Sequence, residues 1–226
     1  MEEYGMTELA REVLRLEAIA EIQNLMGAYS FLLDGRKYDE VLSLFAKNQV
    51  DVRVEMTNGV YQGYDSLVRL YPGKHYDQHV GRSYPGYEGR GNVAKHPQNT
   101  PLVVVGEDLK TAKGSWISMG FASFPREGQR EMHWGMFRYG ADFICEDGNW
   151  RIWHLHVYSG FMADSDRAWS DPRPMPENGP PPRSEPEEFQ PDFPPTTTYD
   201  YSPELSAPYL PEVPEPYTQF DTRNAN

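Results

Sequence analysis

The chain has 226 residues, enough for one ordinary domain with a sizeable core. Its formal net charge of −13 opposes phosphate backbones and anionic lipid, so neither nucleic acid nor a membrane is expected as a partner. The single cysteine, Cys145, excludes an intrachain disulfide and suits a reducing compartment. Residues Met1 to Gly5 are acidic and lack an apolar stretch, and no run reaches the roughly 18 apolar residues of a membrane span. A cytoplasmic protein is the expectation. Aromatic residues make up 13% of the chain, which suits a pocket for flat, apolar ligands or an interface.

The first element reads as a long helix. Leu9, Val13, Leu16 and Ala20 lead into Ile19, Ile22, Met26, Tyr29 and Leu33 at spacings of three and four. Thr7 suits its N-cap and Gly35 its end. A short helix over 37–45 follows, with Val41, Leu44 and Phe45 on one face. Val50, Val52 and Val54 alternate, which predicts a strand over 49–55. Residues 59–62 extend the ladder after a turn at Thr57 to Gly59, and 64–71 read as a third helix. Residues 72–95 are rich in Gly, Tyr and His without periodicity, the mark of a functional loop. His75 and His79 lie there and read as solvated loop residues.

Strands follow over 101–105, 110–123, 132–145 and 149–158, with a hairpin turn at Asp147-Gly148. Helices gathered at the start must cover one face of such a sheet. A long helix on a strongly bent, mostly antiparallel sheet makes a cone-shaped α+β barrel enclosing a pocket.

Composition changes near residue 163, which divides the chain into a domain over 1–162 and an arm over 163–226. The arm carries fifteen of the twenty prolines and is therefore extended. Trp169, Phe189, Phe193, Tyr199, Tyr201, Tyr209, Tyr217 and Phe220 punctuate it. Solvated linkers seldom carry so many rings, so we expect an ordered arm that wraps the domain or a neighbouring subunit.

Four stretches resemble the SnoaL-like branch of the nuclear-transport-factor-2-like superfamily. They are Glu21 through Tyr29 to Asp34 with Leu44-Phe45; Tyr61 to Tyr64; His96 to Pro101 with Thr111 to Trp116; and Trp134 through Arg138-Tyr139 to Asp142-Phe143 with Glu146 to Ile152. Together they span about residues 8–160. The resemblance implies the cone-shaped α+β barrel, chemistry that needs no cofactor, and activity as a dehydratase, isomerase, cyclase or lyase on hydrophobic ring compounds, or binding alone. It also implies a homodimer or homotrimer joined through the open face of the sheet. In size and tail the chain is similar to the lignin diarylpropane lyases, which eliminate water and expel formaldehyde from a two-ring substrate.

Asp34 closes the long helix and reads either as a general base at the pocket mouth or as a turn residue. The resemblance implies a catalytic or orienting role. His96 precedes a strand, and an imidazole there can shuttle protons near neutral pH. The resemblance again implies an active-site histidine, with Asn99 in support. Tyr29 and Tyr61 can donate hydrogen bonds to a leaving hydroxyl, although Tyr29 also suits plain core packing. Arg138 either reaches solvent on the outer face or pairs with an acid in the cavity, Asp34 being one partner. Trp116 and Trp134 either wall the pocket or fill the sheet core. His154 and His156 share a face of the last strand with Trp150, Ile152 and Tyr158, and at least one is expected to face the pocket. No carboxylate stands at metal-site spacing beside them, so no metal is expected.

The expected activity is that of a cofactor-independent lyase on a hydrophobic aromatic substrate. Asp34, His96, Tyr61 and Arg138 are the candidate catalytic residues. Tyr29, Asn99, Trp116, Trp134, His154 and His156 are the candidate substrate contacts. A dehydratase, cyclase or isomerase on a polyketide or steroid-like ring uses the same residues, and a non-catalytic binding module shares the same fold.

Overall fold

Helix α1 (Glu8–Asp34) begins where the Thr7 hydroxyl accepts a hydrogen bond from the Ala10 amide. A computed structural model describes residues 7–71, 93–126, 129–166, 168, 170, 190–197, 204 and 210–226. His75, His79, Trp169, Phe189, Tyr199, Tyr201 and Tyr209 lie outside the described residues. Within α1 the buried positions are Ala18, Ile22, Met26 and Tyr29, one per turn. The expected apolar stripe is only half right. Leu9, Val13 and Leu16 are exposed. Over those turns Arg11 and Arg15 face the sheet instead, donating to the carbonyls of Glu107 and Val105. The helix ends at Gly35 in right-handed geometry, and it is Arg36 that takes the left-handed conformation, φ 57°.

A short helix α2 (Tyr38–Leu42) leads through a loop to the hairpin β1 (Arg53–Met56) and β2 (Gly59–Gln62), then to helix α3 (Tyr64–Leu70). The strand expected from residue 49 starts only at Arg53. Val50 is exposed, and the preceding loop is tied down by Glu146, which accepts from the amides of Lys47 and Asn48. The sheet continues with β3 (Val93–Lys95), β4 (Asn99–Val105), β5 (Thr111–Arg126), β6 (Gln129–Glu146) and β7 (Asn149–Asp164). Residues 93–95, expected as loop, pair with β5.

Strand order is β2-β1-β7-β6-β5-β3, with β4 also on β5. Every pairing is antiparallel except β1 with β7. The fold is the expected α+β type, with N-terminal helices on a curled half-barrel sheet. Its core joins Ile22, Met26 and Tyr29 of α1 to Val54, Trp116, Tyr139, Phe143, Ile152 and Leu155 of the sheet.

Strand β7 runs on to Asp164, past the expected boundary at 162, and arm residues 190–197 and 210–226 lie on the opposite face and edge of this sheet. Phe193 bridges Val60 on the edge strand β2. Asp192 accepts from the Gln62 amide and pairs with Arg69 of α3. Thr196 donates backbone and hydroxyl hydrogens to the buried Glu55. Farther on, Phe220 stacks on Trp153 at 4.8 Å, and Asn226 reaches Asp142 through its amide (2.7 Å) and side chain (3.0 Å).

Candidate active site

The face of the sheet beneath α1 is lined by rings and by few ionisable groups. Alternation along β6 puts Phe137, Tyr139 and Ala141 on this face and Arg138, Gly140 and Asp142 on the other. Asp34 arrives on the last turn of α1. At the end of β3, Lys95 Nζ stands 2.9 Å from Asp34 Oδ2, and His96 follows directly. The His96 carbonyl accepts from Ser30 Oγ at 2.9 Å, which ties this segment to α1. Its ring rests on Gly120: a Cβ there would stand 2.7 Å from His96 Cδ2. Phe137 meets the imidazole edge-on at 5.7 Å.

Burial lowers the His96 pKa from its ordinary 6.5, and the charge of Asp34 opposes the shift without cancelling it. His96 is therefore a neutral imidazole at neutral pH, able to accept a proton.

Phenols gather deeper on the same face. Tyr29 and Tyr71 share a hydrogen bond of 3.0 Å between hydroxyls, and both are buried. Tyr71 comes from the end of α3, so the pair closes α1 onto α3. Tyr139 lies beside the Gln98 side chain, which acts on it as a donor, and within electrostatic reach of both Tyr29 and Asp34. Tyr61, also buried, accepts from Asn58 Nδ2 at 3.2 Å. Burial raises the pKa of Tyr29, Tyr71 and Tyr139 above the ordinary 10.0. These phenols stay protonated, which makes them hydrogen-bond donors and weak acids. The arrangement joins one neutral base with its carboxylate to several neutral proton donors.

Of the expected site residues, Asp34, His96, Tyr29, Tyr61 and Trp116 share this face. Trp116 is 3% exposed and packed on Phe143. The others do not. Trp134 points to the opposite face and packs edge-on against Phe161. Asn99 is exposed opposite Ile117, a residue of that same outer face. Arg138 also lies there and donates to the Leu210 carbonyl of the arm, while Lys95 fills the role of Asp34's partner.

His154 and His156 are the clearest corrections. Asp142 pairs with His154 but Phe143 pairs with Ile152, so Trp153 forms a bulge in β7. The bulge reverses the alternation: Ile152 and Leu155 are both core, and the two histidines turn outward. His154 Nδ1 donates to Asp142 at 2.9 Å, and His156 Nε2 lies 2.9 Å from Thr197 Oγ1 of the arm and 3.2 Å from Glu55. Burial alone would raise the pKa of Asp142. The His154 hydrogen bond and the Lys113 ammonium outweigh it and hold the carboxyl below its usual range.

Tyr71, Tyr139, Gln98 and Lys95 were not anticipated. Gln98 stands one residue from the expected Asn99, and the irregular register between Asn99 and Leu102 hides which of the two turns inward. Among the described residues, no group of three or more His, Cys, Asp or Glu could hold a metal ion.

Comparison with known proteins agrees with this architecture. No curated protein matches the chain. A structure from Novosphingobium aromaticivorans assigned as a scytalone dehydratase is 16% identical, with a TM-score of 0.52 over 74% of this chain and 99% of its own. The hexachlorocyclohexane dehydrochlorinase LinA-type3 of Novosphingobium barchaimii is 15% identical, with a TM-score of 0.52 over 72% and 99%. An NTF2-like protein with a cystatin-like fold, also from N. aromaticivorans, is 17% identical, with a TM-score of 0.50 over 74% and 94%. At these identities the likeness establishes the shared fold. The SnoaL-like domain model matches residues 14–156, more than half of the chain, and the protein belongs to the SnoaL-like domain family.

Proposed function

We propose that the protein is a lyase that eliminates water from a hydrophobic aromatic substrate by acid–base catalysis, with Asp34 and His96 at its centre. The observation that carries this reading is a neutral, half-buried imidazole beside a carboxylate, on the same face as phenols that burial keeps protonated. His96 would take a proton from the substrate and Asp34 would stabilise the imidazolium that forms. A neutral phenol of the Tyr29–Tyr71–Tyr139 group would donate to the departing oxygen, so that hydroxide leaves as water. A dehydratase and a dehydrochlorinase stand among the structural neighbours named above, which supports elimination chemistry on this fold.

The finer reading takes a diarylpropane diol as substrate. Removing the phenolic proton and the benzylic hydroxyl leaves a quinone methide. Deprotonation of the terminal hydroxymethyl group then breaks its carbon–carbon bond. Formaldehyde departs, the electron pair returns to the ring, and a diarylethene remains. The overall change is loss of one water and one formaldehyde, with no external oxidant or reductant.

The test is incubation of the protein with a hydroxylated diarylpropane diol, following formaldehyde and the ultraviolet absorbance of the diarylethene. Equal release of both products, abolished by His96→Ala and Asp34→Asn, supports the full scheme. Clean dehydration of other ring alcohols without formaldehyde reduces it to a dehydratase. Tight binding of such compounds with no conversion would sink the enzyme reading in favour of a binding module.

A further inference from the structure

Glycines meet on three adjacent strands beside His96. Gly120 on β5 stands directly across from Gly135 on β6, and Gly160 follows on the neighbouring β7. Between β6 and β7 the pairing jumps. Phe137 pairs with Ser159 and Met136 with Phe161, so Gly160 is the extra residue of a bulge. The bulge draws the two backbones together. A Cβ at Gly160 would stand 2.9 Å from the Met136 carbonyl oxygen, and one at Gly135 would stand 2.6 Å from that of Phe161. A side chain at either place would have to move backbone.

Phe137 uses the space those glycines leave. It shares the helix-covered face with Gly135 and Gly120. Its ring leans back along β6 over Gly135 and across to Gly120. Cε2 would be 3.1 Å from a Cβ at either position, and Cζ 3.1 Å from one at Gly135. His96 occupies the rest of the same trough. Its Cδ2 and Nε2 would be 2.7 and 3.2 Å from a Cβ at Gly120, and Phe137 meets the imidazole edge-on at 5.7 Å with the planes at 64°. One side of the imidazole is thus closed by an aromatic ring and by bare backbone. The main chain of His96 is held separately, its carbonyl accepting from Ser30 Oγ at 2.9 Å and Gln98 Nε2 at 3.3 Å. Those bonds fix the segment and leave the orientation of the ring to its packing.

We propose that Phe137, laid into the trough of Gly120 and Gly135, is the positioning residue of His96: it sets the plane of the imidazole and keeps water off one side of it. The inference rests on the reading of His96 as the base, and Phe137 acts through that imidazole. A ring contact orients a base without consuming either of its nitrogens, as a hydrogen bond would. The same contact excludes water, which disfavours the imidazolium, and burial is the largest cause of the lowered His96 pKa. Among the described residues, the charged or titratable groups on this side of the sheet are Asp34 of α1 with its partner Lys95 of β3, Tyr139 of β6, and the His133–Asp164 pair of β6 and β7. Strand β5 contributes none, since Trp116, Ser118, Gly120 and Ala122 occupy its share of the face. Replacing Phe137 removes none of these charges, so a change in the titration of His96 reports on the ring.

The test is the titration of the His96 imidazole, followed by NMR in the full chain and assigned by its loss in His96→Gln. The wild type should titrate below 6.5. In Phe137→Ala the midpoint should rise by about half a pH unit or more, because water reaches the ring while the Asp34 charge still favours the imidazolium. The resonances of His154 and His156, on the opposite face, should be unmoved, which marks the change as local. Phe137→Leu keeps an apolar side chain and should move the midpoint less, in the same direction; it carries the test if Phe137→Ala does not fold. The proposal is overturned if the wild-type midpoint is not below 6.5, if the midpoint is unchanged in the folded variant, or if His154 and His156 shift along with His96. No turnover is measured, so the two readings fail separately: a midpoint that moves as expected in a protein without lyase activity keeps Phe137 as the seat of His96 and removes the lyase.

Discussion

The two faces of the sheet treat buried polarity in opposite ways. On the outer face, charged groups are neutralised one against another. Asp142 is fully buried and receives His154, Lys113 at 2.9 Å and two donors of Asn226. Arg53 holds the Asn226 carbonyl at 2.7 Å, and Glu55 receives the arm at Thr196. On the helix-covered face the deeply buried polar groups are hydroxyls, the phenols and Ser118, and the ionisable pair of Asp34 and His96 sits at the ends of its elements. Satisfied charge rigidifies and leaves little capacity to act. Neutral donors beside a neutral base retain the capacity to exchange protons with a ligand. Polar residues of similar type thus serve anchorage on one side and, under the proposed function, chemistry on the other.

The contrast breaks most sharply at Asp142. Asp142→Ala leaves Lys113 and His154 without their common carboxylate, and removing one member of a buried charge cluster costs about 3–5 kcal/mol. Urea denaturation should show that loss; a change within error would mean the arm face contributes little. Next is Gly140→Ala. A Cβ at Gly140 would collide with the Asn226 side chain. We expect about 1–3 kcal/mol of destabilisation, with faster proteolysis of the arm. Smaller again is Tyr29→Phe, which breaks the bond to the Tyr71 hydroxyl and should cost about 1 kcal/mol. Under the proposed function it should also slow turnover, which the arm-face changes should not do in folded protein.

Acid sharpens the same comparison. The Asp142 carboxyl is held below its ordinary 3.8, so its stabilisation is present above that value and is lost as pH falls through the folded pKa. Melting temperature should therefore drop at the acid end, and less so in Asp142→Asn. His96 is also shifted down, from 6.5, but as a base it is active when neutral. The acid limb of kcat/KM should have its midpoint below 6.5. Because the Asp34 charge opposes that shift, the His96 imidazole of Asp34→Asn should titrate lower still when followed by NMR. A limb centred above 6.5 would contradict the assignment of His96 as the base.

Much of this was legible in the sequence, for identifiable reasons. Asp34 and His96 sit at element ends, where an ionisable residue stands out against its neighbours. The arm's prolines imply extension, and its rings imply packing; Phe220 packs on Trp153, whereas Phe193 joins the domain through a backbone bridge to Val60 and its side chain is exposed. Three things were hidden. The phase of α1 changes where Arg11 and Arg15 replace Leu9 and Val13 as the sheet-facing residues, since arginine stems cover apolar surface while their guanidinium groups reach carbonyls. The bulge at Trp153 reverses the facing of His154 and His156, and alternation alone contains no sign of it. Tyr71 and Tyr139 read as core residues because a tyrosine on an apolar face announces its ring and not its hydroxyl. Their pairing across α1, α3 and β6 exists only once the chain is closed.

The most direct measurement of the central claim is kcat/KM for elimination, set beside unfolding free energy, in His96→Ala and Gly140→Ala. The account predicts that His96→Ala loses about 100-fold or more in turnover at near-wild-type stability. Gly140→Ala should lose stability yet keep its turnover at temperatures where it is folded. Folded Gly140→Ala as impaired as His96→Ala, or His96→Ala retaining full turnover, would contradict the division of labour between the two faces.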